Sequence, residues 1–137
     1  MDTEGVFHPE TLDAAREAYE SVGPAAQTAV RETATAMDFD RAEYADRVTS
    51  EVVETARDAI FASLLVVHVA DRDAFESWRA STDVDLTVLG SEGVDNVVWH
   101  AAPFADAAVA ATFQDERDAA VATLRRQAFG RLYRDRL

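Results

Sequence analysis

Two histidines and the carboxylates near them are the residues of this chain whose types fit metal or acid–base chemistry. His68 stands in Val66-Val67-His68-Val69-Ala70-Asp71, and His100 in Val97-Val98-Trp99-His100-Ala101-Ala102-Pro103. Both segments are dense in β-branched residues and read as strands, with the histidine near the strand end. If the strands are neighbours, both imidazoles reach one mouth, with Asp71 or Asp73 beside them. Two imidazoles and one or two carboxylates suffice to hold Zn²⁺ or another divalent cation. On that reading His68, His100 and Asp71 are the catalytic candidates of a small metal-dependent enzyme or ligand-binding protein, and His68, His100, Asp71 and Asp73 its metal ligands. No local metal spacing such as His-Glu-x-x-His supports it, so no cofactor is required. The plainer reading, which the sequence favours, is that each histidine is partly buried and bonded to a backbone carbonyl.

The second candidate is electrostatic. Arg125, Arg126, Arg131, Arg134 and Arg136 crowd the C-terminus, opposed there only by Asp135. Arginines near a helix C-terminus favour its negative end, and they also suit carboxylates elsewhere in the fold. Arg125, Arg126, Arg131 and Arg134 are the candidates for binding a protein partner or a second copy of the chain. Nucleic acid is a weaker reading, because the whole molecule is acidic and salt suppresses phosphate contacts steeply. Phe75, Trp78 and Trp99 form a possible ligand platform, although such aromatics are more often core. Other chemistries lack their motifs. There is no Gly-Lys-Ser/Thr of a phosphate loop, no Gly-x-Ser-x-Gly elbow and no cysteine nucleophile.

The 137 residues fit one domain, 1–137, with a core of its own. All 13 basic residues are arginine, against 26 acidic ones, for a net charge of -13. Residues 1–60 hold 14 acids and 5 arginines (-9), residues 61–114 hold 8 and 2 (-6), and residues 115–137 hold 4 and 6 (+2). Lysine-free acidity fits concentrated salt. There the Debye length is about 3 Å at 1 M, so self-repulsion that destabilises a compact acidic protein is screened. Arginine meanwhile supplies positive charge on a weakly hydrated head. No basic-plus-apolar leader opens the chain, and the longest apolar run, 60–70, is about half the ~20 residues a spanning helix needs. These features lead us to expect a cytoplasmic protein that does not enter the membrane.

The elements that must position the candidates follow from periodicity and breakers. Pro9 fits a helix start, and Leu12, Ala15, Tyr19 and Val22 share one face. Gly23-Pro24 ends that helix and begins another through Met37, making an αα-hairpin. Asp40 and Glu43 resemble a capping box for a short helix through Val48, with Glu43 and Arg47 spaced to pair. Thr49 or Ser50 caps a fourth helix whose buried stripe is Val53, Ala56 and Ile60. Strands are expected over 64–69, 86–89 and 94–101, the last two antiparallel across the turn Gly90-Ser91-Glu92-Gly93, with a short helix capped by Asp71 after the first. Pro103 starts a long final helix to about Arg136, with a break near Gln114-Asp115 or Gly130 as the alternative. The order predicts an α+β fold: N-terminal helices, a small three-stranded mixed or antiparallel sheet (β-α-β-β) and a long C-terminal helix. The alternative is all-α, if the strands around the histidines are helical.

Four stretches, Val22–Gln27, Glu54–Ala59, Val97–Phe104 and Ala122–Arg131, resemble an uncharacterised protein family of halophilic archaea. The similarity spans nearly the whole chain. It implies a salt-loving origin and carries no activity, substrate or site residue. Together these observations favour a non-enzymatic protein-interaction module that self-associates.

Overall fold

The computed structural model describes Met1–Leu137 and has the expected α+β architecture, with five strands rather than three. Strand β1 (Asp2–Glu4) leads into helices α1 (Leu12–Ser21), α2 (Gly23–Ala36), α3 (Arg41–Arg47) and α4 (Ser50–Ser63). Strand β2 (Val67–Asp71), helix α5 (Arg72–Ala80), β3 (Asp85–Leu89), β4 (Asn96–Ala102) and β5 (Ala107–Phe113) follow, then helix α6 (Arg117–Ala128). The sheet order is β1-β2-β4-β5-β3, antiparallel except for β3 with β5.

Local chemistry starts the helices. Thr11, Asp40, Thr49 and Asp71 each accept a hydrogen bond from a backbone N–H three residues on, at 3.1, 2.8, 3.3 and 2.8 Å, satisfying donors that a helix N-terminus leaves orphaned. Thr11 therefore starts α1, and Pro9 lies before it. The buried residues of α4 are Phe61 and Ala62 rather than Val53, Ala56 and Ile60. Arg47 makes no ion pair with Glu43; its guanidinium lies 5.9 Å from the Phe39 ring centre.

The C-terminal half departs most from expectation. Residues 64–66 leave the end of α4 in a turn, so β2 begins only at Val67. The segment after Pro103 is not helical throughout. Pro103–Ala105 makes one 3₁₀ turn, Asp106 takes a left-handed φ of 53°, and the chain reverses into β5. β5 inserts between β4 and β3, so those two strands are not partners. Its sequence, Ala-Ala-Val-Ala-Ala-Thr-Phe, has high helix propensity. Pairing on both edges and burial override that preference. The small side chains leave room for large ones: Ala110 is paired with Trp99.

Each face of the sheet has its own core. Val67, Val69, Val98 and Val109 pack under α1, α4 and α6, where Phe61 meets Phe7, Tyr19, Phe129 and Tyr133 at ring separations of 5.3–5.8 Å. On the other face, α5 covers Val97, Trp99 and Ala110 with Phe75 and Trp78. The three large aromatics there pack against one another at ring separations of 5.3–5.9 Å, so the proposed ligand platform is core. After α6 a π-helical turn, Phe129–Tyr133, closes with Arg134 N–H donating to Phe129 C=O and buries Phe129, Leu132 and Tyr133 together. No helix is long and apolar enough to cross a membrane.

Candidate functional site

The structure separates the residues that the sequence grouped into a metal site. His68 registers with Trp99, not His100, and side chains alternate along a strand. His68 therefore lies on the α5 face, half-buried, 5.6 Å from the Trp99 ring. His100 lies on the α6 face, fully buried. Asp71 is spent as the cap of α5, and Asp73 is exposed in the first turn of that helix. No three His, Asp or Glu side chains are grouped to hold a metal ion.

His100 also has no ring nitrogen left for catalysis or ligation. Nδ1 bonds the Val66 carbonyl, which can only accept, so Nδ1 carries the proton. Nε2 is then the acceptor, and Tyr133 O–H donates to it at 2.6 Å. Burial lowers the His100 pKa to about 4, despite the Val66 bond that opposes the shift. The same burial raises the Tyr133 phenol above its ordinary range. The pair is neutral, and it ties the π-turn to the middle of the sheet.

Sequence reasoning missed His8. Its ring lies 6.4 Å from His68 and 6.1 Å from His100, so the three histidines form a row with His8 between the other two. Long-range backbone pairing puts it there: Val6 and Phe7 N–H both donate to Leu64 C=O, and Phe7 bridges Leu65. No local pattern marks it. Thr3 Oγ1 lies 3.2 Å from His68 Nδ1, and burial, with His8 nearby, lowers the His68 pKa.

The arginines make the second site. Only Arg72, Arg79 and Arg117 form ion pairs. Arg117 binds Asp2 and Glu4 at 2.9 Å each and fastens β1 to the start of α6. None of the five C-terminal arginines meets a carboxylate, so the expected pairing with acidic helices elsewhere does not occur. Arg125 Nε donates to Leu65 C=O at 2.9 Å, Arg126 to Thr123 at 3.3 Å and Arg131 to Gln127 at 3.1 Å. Arg136 donates to Leu132 C=O, and Arg134 lies 5.4 Å from the Phe129 ring centre. They form no direct ion pair, although Glu4, Asp58 and Asp118 line the same groove as Arg125, Arg126 and Arg134.

Arg125, Arg126 and Arg134 line a groove of about 740 Å³ between α4 and α6, whereas Arg131 lies outside it. Ala59, Ala62, Val121, Ala122 and Phe129 supply its apolar lining. Asp58 stands on the α4 side, held by Tyr19 O–H at 2.6 Å. Burial and this carboxylate push the Tyr19 pKa up to about 12. Arg57 braces the same corner, 4.3 Å from the Tyr19 ring centre and donating to Tyr19 C=O.

Residues 6–134 match a family of unknown function, DUF5809. The chain belongs to the DUF5809 family. The match takes in the histidine row and the residues that line the groove on α4 and α6, and the family carries no assigned activity to transfer. No curated protein matches this DUF5809 chain. No solved structure matches it either.

Proposed function

We propose that this DUF5809 protein is a non-enzymatic interaction module of a halophilic archaeal cytoplasm, and that it self-associates through the α4/α6 groove. The observation that carries the reading is the set of arginines without ion pairs on a chain of net charge -13. Three of them flank an apolar strip at that groove. Arginine and aromatic residues are enriched at protein interfaces, and Arg125, Arg126, Arg134 and Phe129 line this groove; the acidic surface complementary to the arginines belongs to the chain itself. The lysine-free acidity supports the salt-loving origin, and the resemblance to a halophile family agrees. The interaction reading is favoured over a shared His68/His100 metal site, because the two side chains face opposite ways and both His100 nitrogens are bonded.

Amide hydrogen exchange in molar KCl, at low and high protein concentration, tests this reading. Protection that rises with concentration on α4 and α6 is the expected result. Protection confined to another surface, or none at any concentration, overturns it.

A further inference from the structure

Asp118, Ala122 and Arg126 are exposed and follow one another at i, i+4 and i+8 on the groove face of α6. Four residues of helix rise about 6 Å. The negative and positive groups therefore lie at equal distances on either side of Ala122. Thr55, Ala59 and Ser63 repeat the same spacing on the facing side of α4, and all three are exposed and small. That wall of the groove therefore carries only small side chains at these three positions.

We infer that the occupant of the groove is α6 of a second copy, packed antiparallel about a two-fold axis at Ala122. The inference rests on the self-association reading and adds its geometry. A two-fold contact must be self-complementary, residue i meeting j and j meeting i. Antiparallel α6 helices centred on Ala122 satisfy this, because each Asp118 faces the Arg126 of the other copy, twice per dimer. A parallel arrangement sets Asp118 against Asp118 and Arg126 against Arg126, so charge selects the orientation. Small residues at the crossing allow close approach of the two backbones. Arg125 and Arg134, without ion pairs in the single chain, flank the same contact.

The test uses the full chain in molar KCl. Because the sequence contains no cysteine, Ala122→Cys introduces a single thiol, and on the axis its partner thiol falls within disulfide reach, about 4.4–6.8 Å between Cα atoms. Oxidation is expected to yield a covalent dimer, whereas Ala25→Cys, exposed on α2, is expected to stay monomeric in a denaturing gel. Asp118→Arg and Arg126→Asp each replace two attractive pairs with two repulsive ones. Each is expected to weaken dimerisation by roughly threefold to tenfold at the lowest KCl concentration that keeps the chain folded, and the double exchange D118R/R126D to restore it. That effect shrinks with added KCl. Ala122→Trp blocks close approach at every salt concentration. Because these positions are exposed, circular dichroism is expected to show wild-type folding. A dimer indifferent to the charge reversals and to Ala122→Trp overturns the α6 geometry and leaves self-association standing. A wild-type chain that is monomeric throughout overturns both.

Discussion

Acidification tests the buried His100–Tyr133 pair directly. In the folded chain His100 has a pKa of about 4, against 6.5 for the free side chain. The folded state therefore refuses a proton that the unfolded chain accepts. Stability contributed by neutral His100 is complete above pH 6.5 and is lost as pH falls from 6.5 to about 4. Below that both states are protonated and the loss stops. A difference near 2.5 units at roughly 1.36 kcal/mol each amounts to about 3 kcal/mol, a large share of the 5–15 kcal/mol typical of a domain. Denaturant unfolding in molar KCl from pH 7 to 4, on wild type and His100→Gln, isolates the contribution. The 26 acidic residues, His8 and His68 are common to both chains, so only the difference in pH slope reports His100. The wild-type curve is expected to fall more steeply between pH 6.5 and 4. Parallel curves would refute the assignment of His100 as a buried neutral donor–acceptor.

Three further outcomes follow from the same packing. Tyr133→Phe removes the donor to His100 Nε2 and leaves a buried acceptor unpaired, so denaturant unfolding is expected to show a loss of about 1–3 kcal/mol. Gly90 has φ +96°, and a Cβ there would meet Thr112 Oγ1. Gly90→Ala is therefore expected to destabilise the fold by roughly 1–2 kcal/mol of backbone strain before the clash is counted, read as a lower thermal midpoint. The net charge of -13 leads us to expect a thermal midpoint that rises from dilute to molar KCl, and a salt-indifferent midpoint would contradict the screening argument.

Much of the fold was legible because its signals are local. The side-chain caps Asp40, Thr49 and Asp71 stand beside the helices they start, and Gly23-Pro24 marks the α1/α2 junction where expected, whereas Pro9 drew the start of α1 two residues ahead of its cap, Thr11. What escaped depends on partners far along the chain. β5 is alanine-rich and becomes a strand because β4 and β3 pair with both its edges. β1 is held by β2 and Arg117, more than 60 residues away. The candidate site divides the same way. Arg125, Arg126 and Arg134 were visible as a charge cluster, and their lack of carboxylate partners emerged only from the fold. His68 and His100 do lie on neighbouring strands. A one-residue offset in register sends them to opposite faces, and sequence does not encode that offset in any short pattern. His8 reaches the row through backbone bonds of Val6 and Phe7 to Leu64, which side-chain types do not announce.

Light-scattering mass across a dilution series in molar KCl tests the central claim of self-association most directly. The account predicts a mass approaching twice 15.0 kDa at high concentration, falling toward the single-chain value on dilution. A mass fixed at 15.0 kDa up to millimolar protein would contradict it.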